Sequence, residues 1–173
     1  NCYNSDTYLR QAIESVFRQS YENWEIIFWD NNSTDNSSEI ARSYKDERFK
    51  YYKADKTEPL YKARNLALEK SSGEYVAFLD CDDMWLEYKL EAQMSLASEG
   101  IDFIYGGYAT INAEEKVISQ NLHHLISGDI TNSLFRRNPI SIGTVLVKKD
   151  LLDRYSFDPT FNLLGDLDMW VRI

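Results

Sequence analysis

Three acids within four positions follow an apolar run: Tyr75-Val76-Ala77-Phe78-Leu79 leads directly into Asp80-Cys81-Asp82-Asp83. Carboxylates set so close repel one another unless a cation or protons neutralise them. A divalent ion is the natural counterion, and an oxygen-only ligand set fits Mn²⁺ or Mg²⁺. Such ions commonly take one or two protein carboxylates and complete their shell with substrate phosphate and water. The pattern therefore points to a diphosphate-bearing ligand, which an acidic pocket would otherwise repel and which the metal would bridge. The plainer alternative is an acidic turn capping a helix near Leu86; three acids directly after a buried strand favour the metal. A second polar loop, Asp30-Asn31-Asn32-Ser33, ends the apolar run Trp24-Glu25-Ile26-Ile27-Phe28-Trp29. His123 and His124 lie in a polar connection. Either could add a metal ligand, but with no second ligand at metal spacing they read as ordinary surface histidines.

The elements that must position these loops alternate. Leu9, Ile13, Val16 and Phe17 recur at helical spacing after the capping residues Ser5 and Asp6, giving a helix over about 6–19. A strand over 24–29 precedes the Asp30 turn. Thr34 or Asp35 caps a helix through Tyr44, an edge-like strand follows over 49–53, and residues 60–70 are helical, stopped by Ser72-Gly73. The wholly apolar run 75–79 has the pattern of a central parallel strand covered on both faces. This alternation predicts βαβ units in an α/β fold with a mostly parallel sheet. Ligands bind such sheets beyond the carboxyl ends of the strands, so the loops at Asp30 and Asp80 can converge on one cleft. After a helix over 86–97, residues 103–112 and 116–119 read as a small antiparallel hairpin around Ala113-Glu114-Glu115. A strand over 144–148, a short helix over 150–155 and a helix opening at Asp166 complete the chain.

A chain of 173 residues with 43% hydrophobic and 14% aromatic residues buries a continuous core without staples. Its net charge of -9 and dispersed Lys and Arg argue against nucleic acid as a partner. Cys2 and Cys81 fit no zinc module and no redox-pair spacing, so reduced thiols in a cytoplasmic protein are expected. No apolar run approaches the ~20 residues that cross a bilayer, so any membrane association would come from parts outside this chain. The chain starts on what reads as the end of a strand and stops within a helical pattern, so truncation at both ends is expected.

The succession Asn1-Cys2-Tyr3-Asn4, Gln19-Ser20-Tyr21, Glu25 through Asp35, Ala63-Arg64-Asn65, Gly73 through Asp83, and Asp166-Leu167-Asp168-Met169-Trp170-Val171-Arg172 resembles the family-two inverting glycosyltransferases of GT-A fold. Each motif alone is weak; six in order, across nearly the whole chain, carry the resemblance. It implies a single catalytic domain over 1–173, with a nucleotide-sugar-binding half over 1–100 and an acceptor-side half over 101–173. The implied activity is transfer of a sugar, with inversion, from a nucleotide-diphosphate donor to an acceptor hydroxyl. UDP is the expected nucleotide, with GDP and dTDP still open, and the acceptor would be a saccharide or lipid-linked saccharide in bacterial cell-surface polysaccharide assembly.

Residue by residue, the resemblance puts Tyr3 and Asn4 beside the nucleotide base, though Tyr3 could equally pack in the core. Asp30 would accept a hydrogen bond from the base. Arg64 would lie near the diphosphate or base, Asp80 would face the ribose, and Cys81 sits between it and Asp82. Asp82 would hold the metal with Asp83 beside it. Asp166 matches the catalytic base, which takes the acceptor's proton; Asp166 as a mere helix cap is the alternative. Asp168 points about 200° away around the helix. Trp170 should pack, and Arg172 should brace the base or phosphate. Three departures stand out: the first strand is essentially absent before Asn1, Asn1 replaces a usual Pro, and Gly165 replaces the usual Glu. A binding module without catalysis is one rival reading. A haloacid-dehalogenase-like phosphatase, with Asp80 as nucleophile and Asp82 as acid, is the other.

Overall fold

The computed structural model describes residues 1–122 and 125–173, so His123 and His124 lie outside the described residues. Helix α1 (Asp6–Phe17) buries Leu9, Ala12, Ile13 and Val16, the stripe its spacing predicts. Its cap comes from elsewhere. Ser5 makes no side-chain bond to the helix; the Asp35 carboxylate, from the next loop, accepts the Asp6 N–H at 3.0 Å. Strand β1 (Ile26–Asp30), helix α2 (Ser37–Ser43) and strand β2 (Phe49–Lys53) form a βαβ unit. The two strands are parallel, with Ile26 opposite Phe49 and Asp30 opposite Lys53. Cys2 extends this sheet by one bridge: its N–H reaches the Trp29 carbonyl at 2.8 Å and its carbonyl takes the Asn31 N–H at 2.8 Å.

Helix α3 (Leu60–Leu68) leads to strand β3 (Tyr75–Ala77), helix α4 (Lys89–Ser98), strand β4 (Phe103–Ile104), and the hairpin of β5 (Tyr108–Ile111) and β6 (Val117–Asn121). Then come helix α5 (Thr131–Arg137), a 3-10 turn (Ile142–Thr144), strand β7 (Leu146–Lys148), helix α6 (Lys149–Arg154) and helix α7 (Gly165–Arg172). Two expectations change. Strand β3 is not a parallel central strand: it pairs antiparallel with β7, in a sheet of order β3-β7-β4, and is only half-buried. An unbroken apolar run sets neither the direction of the neighbouring strand nor how completely both of its faces are covered. The long strand over 103–112 is also two strands, because Gly106-Gly107 interrupts it; a Cβ on Gly107 would lie 2.8 Å from the Asn121 carbonyl.

Between β1 and β3 lies a cavity of about 580 Å³, walled by Leu9, Ile13, Ile27, Phe28, Val76 and Phe78. The largest core draws on both sides of residue 100: Tyr61 and Val76 meet Val145, Val147, Phe157, Met169 and Trp170. Phe157 is fully buried, a burial that contributes about 1.5–3 kcal/mol, and Trp170 packs edge-on to Phe78, Phe103 and Phe157. The β5–β6 hairpin is exposed along nearly its whole length. No helix among the described residues is long and apolar enough to cross a membrane.

Candidate functional site

Beyond β3 the chain passes Phe78, whose ring meets Phe157 edge-on at 5.7 Å, and delivers Asp80. Arg64 of α3 donates to Asp80 Oδ1 at 3.0 Å from a guanidinium only 8% exposed. That guanidinium lies 5.5 Å from the Tyr61 ring centre and 5.8 Å from that of Phe157. Its neighbour Asn65 clamps the Phe157 backbone, donating to the carbonyl at 2.7 Å and accepting the N–H at 3.1 Å. The Ala63-Arg64-Asn65 triplet thus holds the acidic loop with one residue and the approach to α7 with the next.

Asp82 and Asp83 are exposed on the loop. The Asp83 carboxyl is raised above its ordinary value, first by partial desolvation and then by the charges of Asp80 and Asp82. Trp85 ties down the far side of the loop: its backbone N–H reaches Ser15 Oγ at 3.1 Å and its indole N–H the Gly143 carbonyl at 2.9 Å. Among the described residues no three His, Cys, Asp or Glu side chains converge as a complete metal cage. An ion here would have to share its shell with phosphate and water, which suits Mn²⁺ or Mg²⁺.

The first loop stands beside this one. Cys2 is buried and Cys81 packs against it, although 79 residues separate them. Hydrogen bonding from Cys81 outweighs burial and brings the Cys2 thiol down to about 7, whereas that same bond, with burial, pushes the Cys81 thiol up. Local spacing gave no sign of this contact. Tyr3 is 49% exposed, which removes the core-packing alternative. Asn4 adopts a left-handed backbone, φ 49°, and its side-chain oxygen accepts the Thr34 N–H at 2.8 Å. Asp30 is wholly buried under this loop. Its Oδ1 takes the Ser33 N–H at 2.8 Å, and its Oδ2 takes the Tyr51 hydroxyl at 2.6 Å together with that of Ser38. The structure thus sets Tyr3 and Asn4 outward and binds Asp30 inward, as the fastening of the turn above it.

At the other side, Asp168 is paired with Arg172, whose Nε and Nη2 reach Oδ2 at 2.9 and 2.7 Å. Arg172 also donates to the Ser156 carbonyl at 3.0 Å, so it braces its own helix and the preceding loop rather than Asp166. Asp166 is half-buried and receives the Tyr61 hydroxyl on Oδ1 at 3.3 Å. Tyr61 escaped the sequence reading. The available signal was its place three residues before Arg64, on the same face of α3.

Residues 1–157 match the family described as Glycosyl transferase family 2. The chain belongs to that family. One relative, the Escherichia coli "UDP-Glc:alpha-D-GlcNAc-diphosphoundecaprenol beta-1,3-glucosyltransferase WfgD", is 34% identical over 99% of this chain and 66% of its own length. The Bacillus subtilis "Putative teichuronic acid biosynthesis glycosyltransferase TuaG" is 30% identical over 99% of this chain and 68% of its own. A Rickettsia bellii "Uncharacterized glycosyltransferase" is 34% identical, with 25% of its length covered. The chain therefore spans between a quarter and about two thirds of these relatives. Among solved structures, S. aureus TarS 1-349 in complex with UDP superposes with a TM-score of 0.78 at 21% identity, over 96% of this chain and 51% of that one. The mannosyltransferase PcManGT from Pyrobaculum calidifontis, in complex with GDP-Man and Mn2+, superposes with a TM-score of 0.69 at 18% identity, over 97% and 48%. These likenesses establish the GT-A fold. Membership in family 2 also sets aside the phosphatase alternative.

Proposed function

We propose that this chain is the donor-binding and catalytic core of an inverting glycosyltransferase that moves a sugar from a UDP-sugar to an acceptor hydroxyl. One observation carries the reading: α3 holds Asp80 through Arg64 and Asp166 through Tyr61, side chains three residues apart on one helix face. Donor loop and candidate base are thereby tied to the same rigid element. Residues 1–100 supply the donor side and 101–173 the acceptor side.

In this reading Tyr3 stacks on the nucleotide base, Asn4 borders it, and Asp30 acts through the turn it fastens. Arg64 orients Asp80 toward the ribose, with Cys81 supporting the loop from behind. Asp82, with Asp83 beside it, would hold Mn²⁺ or Mg²⁺, whose contribution is to neutralise the donor diphosphate and stabilise it as it leaves. The crowding of like charge at Asp83 is what a cation there would relieve. Asp166 takes the proton of the acceptor hydroxyl as that oxygen attacks the anomeric carbon from the face opposite the leaving group. Asp168, neutralised by Arg172, is not available for that role. The acceptor is a saccharide on a lipid diphosphate, in keeping with the substrate in the name of the WfgD relative, and the work is done at the cytoplasmic face of a membrane.

The test is UDP release from UDP-glucose by the full-length protein with Mn²⁺, with and without an alkyl-diphospho-N-acetylglucosamine acceptor. Asp166→Asn should bind UDP normally and lose transfer. A protein that binds UDP yet never releases it from a sugar donor would instead be a binding module.

A further inference from the structure

Tyr61 is almost completely buried, with its ring stacked on Phe157 at 5.6 Å and an interplanar angle of 23°. Its hydroxyl is the one polar part of a side chain otherwise packed in the main core. That oxygen accepts the Gly165 N–H at 2.8 Å and donates to Asp166 Oδ1 at 3.3 Å. Burial and the nearby Asp166 charge push the phenol above its ordinary value, so the proton stays on Tyr61. The approach is so close that a Cβ on Gly165 would lie 2.5 Å from the ring edge, and real side chains do not fit there. Just before it, Leu164 takes a left-handed conformation, φ 61° and ψ 14°, which L-residues avoid unless their surroundings impose it. The turn into α7 is therefore shaped around the Tyr61 ring.

We propose that Tyr61 is a positioning residue for the Asp166 base, and that glycine stands at position 165 to admit its ring and hydroxyl. The proposal rests on reading Asp166 as the base. A carboxylate on the first turn of a helix has several rotamers, and a donor fixed to a different element selects one of them. Here that donor is built into α3, one turn from Arg64, so the orientation of the base follows the same helix that orients Asp80. Beside the base, position 165 carries no side chain, and the Tyr61 phenol fills the space.

The experiment compares wild type, Tyr61→Phe, Asp166→Asn and the double variant of the full-length protein. UDP release from UDP-glucose, UDP-galactose and UDP-N-acetylglucosamine is followed with Mn²⁺, with water or alkyl-diphospho-N-acetylglucosamine as acceptor. Phe keeps the ring stacked on Phe157, so donor KM and UDP affinity by calorimetry should stay within about twofold while kcat falls about tenfold or more. In the Asp166→Asn background the Phe substitution should add less than about twofold, because its effect runs through the missing carboxylate. Should Phe not be accommodated, Tyr61→Leu also lacks the hydroxyl and serves the same comparison. A kcat unchanged in Tyr61→Phe, or an equal fall with and without Asp166, overturns the positioning role alone. Full transfer by Asp166→Asn overturns the base assignment first, as does a wild type that releases UDP from none of the donors.

Discussion

The Arg64 guanidinium donates to the Asp80 carboxylate at 3.0 Å, joining α3 to the loop after β3, with the arginine buried and the aspartate 42% exposed. Removing Arg64 strands Asp80 and leaves a hole beside the stacked rings of Tyr61 and Phe157. Arg64→Ala should cost about 1–3 kcal/mol, less than a fully buried pair because Asp80 keeps part of its hydration. It should also weaken UDP binding about tenfold. Urea denaturation and calorimetry check both; a loss below about 0.5 kcal/mol would mean the pair is a bystander.

Asp82 should govern metal-dependent donor binding. A ligand at a hundred times its Kd stabilises the folded state by about 2.7 kcal/mol, which for a chain of this size raises Tm by about 5–10 °C. UDP with Mn²⁺ should produce that shift in wild type and in Asp166→Ala, and Asp82→Ala should show none of it. Equal shifts in wild type and Asp82→Ala would contradict the metal assignment.

Gly165→Ala should be costly although only one methyl is added, since that methyl meets ring atoms of Tyr61 at 2.5 to 2.7 Å. Overpacking of this kind costs about 1–3 kcal/mol. Combining it with Tyr61→Ala should recover part of the loss, because the second change removes the obstacle; strictly additive melting data would show that the contact is soft.

Asp30 sets an acid limit. Burial raises its carboxyl, but hydrogen bonds from Ser38, Tyr51 and Ser33 outweigh that and hold it below the ordinary value. A depressed folded value means that folding favours the ionised form. Its stabilisation is complete above the unfolded value of about 4 and disappears as pH falls through the folded one. Asp30→Asn should lose about 1–3 kcal/mol at pH 7 and show a shallower decline than wild type below about pH 4. Parallel urea midpoint curves for the two proteins would refute this.

Much of the arrangement was legible locally. The apolar stripe of α1, the runs ending at Asp30 and Asp80, and the pairing of acidic loop with strand end can all be read from a few neighbouring residues. Burial and element type follow from side-chain periodicity, and periodicity is a property of a short window. The contrast between Asp166 and Asp168 was legible in the same way, since helical geometry alone turns them apart.

Local order could not say which strand β3 would adopt as partner, that Asp35 would cap α1, or that Cys2 and Cys81 would touch. Nor could it show that Tyr61 would reach across to Asp166. Each joins groups from 29 to 105 residues apart, or in the case of β3 a strand direction that its own residues do not encode. The sequence by itself determined the element order, the acidic loops and the family pattern; tertiary packing decided which side chains hold those loops in place. The physical reason is that burial preference belongs to a residue, whereas a hydrogen bond or a steric limit such as that at Gly165 belongs to a pair of surfaces brought together only by the completed fold.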